Sequence, residues 1–231
     1  MEIIDNLTQS REVFFRCVDI CNNKYRKGDD LKFYRELIAQ HRDTADLNTL
    51  INLEAFLKKV YATLEKWDMN KRGARLVDLQ TMCNSIRFHR ENLNVLYKYR
   101  LEILSEDDFQ KVLQLLKILF CGLRIMETKR RIVGVSKAVH FLLPDLVIPV
   151  DSSNTMPAFY GYNRYETGEE KEFKTYSDIL VKSYKITKRL NLSESDVDGR
   201  LWSCSVPKLI DNAIFGFFIK VKDSMREDIA K

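Results

Sequence analysis

Apolar residues recur at helical spacing along most of the chain. Phe14, Val18, Cys21 and Tyr25 fall on one face behind Thr8 or Ser10, either of which can cap a helix that Gly28 ends. Asp30 can cap a second helix carrying Leu31, Tyr34, Leu37 and Ile38, and Phe56, Val60, Tyr61 and Leu64 predict a third over about 50–67. The run WDMNKRGARL (67–76) interrupts this pattern, with Gly73 among Lys71, Arg72 and Arg75. It reads as a surface turn, or as a loop facing phosphate. Val77, Met82, Cys83 and Ile86 then resume helical spacing.

Ser105, followed by Glu106, Asp107 and Asp108, marks a helix start, because carboxylates favour the positive end of the helix dipole. The helix behind it places Phe109, Val112, Leu116, Leu119, Phe120 and Leu123 on one face and Leu115 and Ile118 elsewhere. Apolar on more than one side, it is expected to be the central helix. The polar, glycine-bounded stretch 160–168 predicts a loop whose Tyr160, Tyr162 and Tyr165 either anchor it or stack on a ligand. A helix is expected over about 175–190, and a last one opens at SVPK with Pro207 in its first turn and Ser205 as a cap. Asp211 and Asn212 fall among strongly apolar neighbours in that helix and need partners if buried. The expectation is an all-α protein, one domain over 1–231, with lobes at about 1–104 and 105–231 around a cleft.

Composition agrees with helices. The 231 residues are 45% apolar, with only 8 Gly and 4 Pro to interrupt them. A net charge of +5, from 38 basic and 33 acidic residues, permits an anionic partner without requiring one. Five scattered cysteines read as reduced core thiols, and the acidic opening MEIIDNLTQS lacks an apolar signal core, so a cytoplasmic location without membrane insertion is expected. Three histidines (His41, His89 and His140) and the absence of a Cys-x-x-Cys pair give no support for a metal site. No Walker loop, Gly-x-Gly-x-x-Gly or Gly-x-Ser-x-Gly is present, so no cofactor is expected.

Chemistry concentrates in 130–154, RRIVGVSKAVHFLLPDLVIPVDSSN. Lys129, Arg130 and Arg131 precede Gly134, and Ser136 can cap a short helix from about Lys137 that Pro144 stops. Free backbone N–H groups beside positive charge are how a helix start holds phosphate. LVIPVD is extended by composition and delivers Asp151 to a turn, where it serves as a helix cap or as a functional carboxylate. His140 stands one turn beyond Lys137, either as a core histidine bonded to a carbonyl or as a group able to adjust the lysine's protonation.

The run GVSKAVHFLLPDLVIPVDSSNT resembles the core of the helix-hairpin-helix DNA glycosylases. That family is all-helical, flips a damaged base out of double-stranded DNA and cleaves its glycosidic bond. The resemblance matches Gly134 to a hairpin glycine, Lys137 to the nucleophilic lysine, and Pro149-Val150-Asp151 to the Pro-Val-Asp that carries the catalytic aspartate. It implies that Asp151 and Lys137 are catalytic and that Arg130, Arg131, Gly134 and Ser136 lie near phosphate. Ser136 replaces the second hairpin glycine, and the lysine-to-aspartate spacing is shorter than the family's. WDMNKRGARL and SVPKLIDNAIFG resemble pieces of an uncharacterised prokaryotic protein family. The residues leave two functions open: a DNA-binding glycosylase-type protein, or a non-catalytic helical module in which 149–154 is a structural turn.

Overall fold

In the computed structural model, residues 3–25, 27–44, 46–71, 73–161 and 166–221 are described in full and 222–229 as helical backbone. Among them the chain is all-α, and its only extended pairing is an isolated antiparallel bridge between Leu76 and Met126. Arg72, Tyr162 and Tyr165 lie outside the described residues.

A short α1 (Ile3–Leu7) precedes α2 (Arg11–Lys24), which Ser10 caps by accepting from the Val13 N–H, so of the two expected caps Ser10 is the one used. α3 (Asp29–Arg42) starts on Gly28 with two aspartates in its first turn. The single helix expected over 50–67 is two, α4 (Leu47–Asn52) and α5 (Glu54–Lys66), because Leu53 is extended at φ −76° and ψ 112°. Asp78 caps α6 (Leu79–Phe88), and α7 (Arg90–Leu96) follows at once. Ser105 caps α8 (Glu106–Gly122) as its sequence predicts, accepting from the Asp108 N–H at 3.1 Å. α9 (Ile132–Leu142), α10 (Thr155–Tyr160), α11 (Glu169–Leu190) and α12 (Val206–Ile229) complete the order. Tyr160 ends α10, and its hydroxyl donates to Asp178 on α11 at 2.6 Å, an anchoring contact.

The helix enclosed on every side is α9, not α8. Ile132 and every residue from Gly134 to Leu142 are buried, whereas α8 leaves Ile118 about half exposed. β-branched Ile132, Val133 and Val135 have modest helix propensity, so α9 owes its helicity to this burial against α5, α8 and α11.

α2 lies along α12, so the second helix of the chain belongs with the last. The contact is close enough that a Cβ on Gly216 would fall 1.9 Å from the Cys17 carbonyl oxygen. α3, α4, α5, α6 and α7 pack among themselves, with α5 against α9. No helix among the described residues is long and apolar enough to cross a membrane.

Candidate functional site

Two hydrogen bonds set the geometry around Lys137. Ser136, inside α9, donates its hydroxyl to the Val133 carbonyl (3.1 Å) and accepts from the Val150 N–H (3.0 Å). It ties the helix to the extended run that follows, and the next residue on each side of that tie is Lys137 or Asp151. The second bond is from Ser205, which caps α12 by accepting from the Lys208 N–H (3.3 Å) and donates to the Pro144 carbonyl (2.8 Å). The first turn of α12 is therefore pinned to the same connecting segment as α9.

These ties bring four charged side chains to one recess. Lys137 is buried, its Nζ 3.8 Å from Asp151 Oδ2, an ion pair too long to be a hydrogen bond. The same Nζ donates to the Trp67 carbonyl at 3.2 Å and lies 5.5 Å from the centre of the Trp67 ring. Across the recess, Lys208 is buried and bonded to Asp211 one helical turn on, with its Nζ 5.6 Å from the Trp67 ring and 5.2 Å from that of Trp202. Cys21, Tyr25, Pro149, Val150, Asn154 and Phe215 complete the lining, with the Tyr25 and Phe215 rings edge-to-face at 4.7 Å.

Burial dominates the electrostatics. It pushes the Lys137 ammonium below its usual range, against the pull of Asp151, Asp211 and Asp68. It raises the Asp211 carboxyl despite Lys208, and it pushes the Cys21 thiol up to about 12. An amine whose pKa burial lowers, held beside a carboxylate, is the arrangement a nucleophilic lysine needs.

The recess has room for about 30 Å³, roughly one water or one exocyclic group. It shares Tyr25, Trp67, Lys137, Asp151 and Asn154 with a cleft of about 990 Å³, whose rim carries Lys66, Lys71, Lys129 and Arg130. Lys66 pairs with Asp29 and Lys71 with Asp68, while exposed Lys129 and Arg130 make no ion pair among the described residues.

The residues expected near phosphate divide sharply. Arg130 is exposed on the cleft. Arg131 is not available: its guanidinium donates to the Phe120, Cys121 and Leu123 carbonyls at the end of α8 and pairs with Glu169. Ser136 does not cap a helix from Lys137, because α9 begins five residues earlier and buries it in the Val150 tie. The helix start is filled too. Glu172, fully buried on α11, accepts from the Arg131 N–H (2.7 Å) and the Ile132 N–H (2.5 Å), occupying the place a phosphate would take. Gly134 lines the cleft, and a Cβ there would lie 2.1 Å from Met126 Sδ, so that side chain would have to shift.

Asp151 has two roles. Its Oδ1 accepts from the Ser153 N–H (2.8 Å) and from Asn154 Nδ2 (2.9 Å), fixing the turn before α10, while its side chain stays 35% exposed with Oδ2 toward Lys137. His140 is a core residue: Nδ1–H donates to the Val147 carbonyl (2.7 Å), which leaves Nε2 to accept from the Tyr34 hydroxyl (2.9 Å). Burial pushes its pKa down to about 3, so it stays neutral and does not serve Lys137.

Sequence reasoning marked Asp211 as a polar residue needing a partner but did not place it, or Lys208 and Trp67, in a site. The available signal was the i, i+3 spacing of a lysine and an aspartate on the face of an otherwise apolar helix. No family model, no curated protein and no solved structure matches this chain. Among the described residues no group of three or more His, Cys, Asp or Glu is placed to hold a metal ion.

Proposed function

We propose that this protein binds double-stranded DNA and acts on it as a base-excision glycosylase of the helix-hairpin-helix type, with Lys137 and Asp151 as its catalytic pair. The observation that carries this reading is the pairing itself: an amine with a depressed pKa, 3.8 Å from a carboxylate, at the inner end of a large cleft with unpaired cations on its rim. Lys129 and Arg130 supply phosphate contacts in place of the occupied start of α9. Lys137, once it has given up its proton, attacks C1′ of an extruded nucleotide as the bond from C1′ to the base breaks. Its electron pair leaves with the base, which takes a proton from water, and Asp151 balances the positive charge that grows on the sugar. Loss of the amine protons and opening of the sugar ring then give an imine between Lys137 and C1′.

A non-catalytic role has one observation in its favour, the use of Asp151 Oδ1 to fix the 151–154 turn. Duplexes with and without an abasic-site analogue, titrated at low and moderate salt, separate the two. Salt-sensitive binding that prefers the lesion and weakens in Arg130→Ala supports the proposal. Borohydride treatment on a natural abasic site should trap a covalent protein–DNA adduct in the wild type and not in Lys137→Met. Absence of duplex binding at low salt removes nucleic acid from the account, and binding without an adduct removes the lysine chemistry.

A further inference from the structure

The Lys208–Asp211 pair takes no part in the chemistry just proposed, yet both side chains face the recess. Each has unused hydrogen-bonding capacity. Asp211 Oδ2 is bonded to Lys208, while Oδ1 has no partner among the described residues. Lys208 spends one of its three N–H donors on that bond. An open donor and acceptor side by side on the wall of a recess are met by a ligand that offers a carbonyl oxygen and an N–H.

The overall charge narrows the ligand. Lys137, Lys208, Asp151 and Asp211 sum to zero with Lys137 protonated and to −1 with it neutral, so in either state the recess offers no net attraction to a phosphate or a carboxylate. Its walls, Tyr25, Trp67 and Phe215, are aromatic and suit a flat ring. A volume of about 30 Å³ admits the polar edge of such a ring, while the ring body stays in the adjoining cleft.

We infer that Lys208 and Asp211 read the edge of a neutral nucleobase bearing a ring N–H next to a carbonyl, as in guanine, hypoxanthine or uracil. The free Asp211 oxygen accepts from the ring N–H and the Lys208 ammonium donates to the neighbouring carbonyl oxygen. Adenine and cytosine present a ring nitrogen lone pair beside an amino group. Their ring nitrogen would meet the Asp211 carboxylate as acceptor against acceptor if placed the same way. Phosphate-rim contacts at Lys129 and Arg130 are indifferent to this choice. The inference rests on the cleft being a nucleotide site, but not on Lys137 being a nucleophile.

The test compares duplexes carrying a single unpaired guanine, hypoxanthine, uracil, adenine or cytosine, bound by the full chain, together with the five free nucleosides followed by tryptophan fluorescence. The wild type should prefer the first three by about tenfold or more, the discrimination one good pair of base contacts gives. In Asp211→Asn the preference should fall toward one while affinity for fully paired duplex is unchanged, with a thermal melt confirming that the variant is folded. The wild-type comparison stands without the variant. Duplex binding with equal affinity for all five overturns the inference and leaves the DNA-binding proposal intact. Nucleoside binding with the expected order but no duplex binding does the reverse, and failure to bind either probe overturns both.

Discussion

Two clusters of charge lie within a few residues of each other on α9 and are built on opposite terms. At the helix start, Arg131 and Glu172 are spent on the protein: three carbonyls and Glu169 take the guanidinium, and three backbone amides, those of Gly168, Arg131 and Ile132, take the carboxylate. In the recess beside Lys137, two buried lysines stand with two part-exposed aspartates, and donors and acceptors are left over. The first arrangement is what polar groups do when they hold a fold together. The second leaves polar atoms open to the recess, where a ligand can meet them. Residue type alone does not separate the two, since the cluster richer in arginine is the structural one.

The largest change should come from forcing apart the two helices that supply recess walls. Gly216→Val drives a side chain into the Cys17 backbone, and a loss of about 3 kcal/mol or more is expected in urea unfolding, at the high end for overpacking because backbone cannot step aside. An unchanged midpoint would show that α2 and α12 can separate without cost.

Acid should reach both clusters through the histidines that hold the interior. Burial lowers His140 to about 3 and His41 to about 4, so between those values and 6.5 the unfolded chain binds protons that the folded chain does not. Their contribution is intact above pH 6.5 and lost as pH falls, with a slope approaching about 2.7 kcal/mol per unit near pH 5 for two protons. The raised carboxyls of Glu102, Asp145 and Asp211 act in the opposite sense, so the test is the difference between wild type and His140→Asn. That variant should show the shallower pH dependence.

Next in size is a direct exchange between clusters. Glu172→Ala strands two amides at the start of α9 and should cost about 2 to 3 kcal/mol, with duplex affinity unaffected. Lys137→Met removes a buried charge whose partner is part-exposed and otherwise bonded, so stability should move by less than about 1 kcal/mol. The reverse ranking would mean that the recess, not the helix start, is the structural cluster.

The finest comparison is between neighbours in sequence. Arg131→Ala should lower stability by about 1 to 2 kcal/mol and leave the salt dependence of DNA binding alone. Arg130→Ala should leave stability within about 0.5 kcal/mol and reduce the salt slope by about 1.

What could be read from the sequence was local. The Ser105 cap depends on a serine and the acidic residues behind it, and the Ser10 cap on its own side chain and an amide three residues away, so both were legible. The start of α9 was not, because its cap arrives from Glu172, some 40 positions along the chain, and Ser136 looked like the nearest substitute. The helical pattern likewise ran through Leu53, where only the backbone turn divides α4 from α5. The meeting of Lys137 with Asp151 was anticipated through a resemblance. The second pair was missed because its place depends on how α12 sits against α2 and the Pro144 carbonyl, contacts between segments far apart in the chain.

The side-by-side packing of α2 and α12 also sets a schedule. Asn22 and Ser203, bonded at 3.0 Å, are 181 positions apart, so a ribosome adding about 5 to 20 residues per second makes the second roughly 10 to 35 s after the first. During that interval the apolar face of α2, with Phe14, Cys17, Val18 and Cys21, has no native cover from α12. The recess is therefore among the last features of the protein to exist, and a nascent chain halted before α12 carries Lys137 and Asp151 without the walls that make them a site.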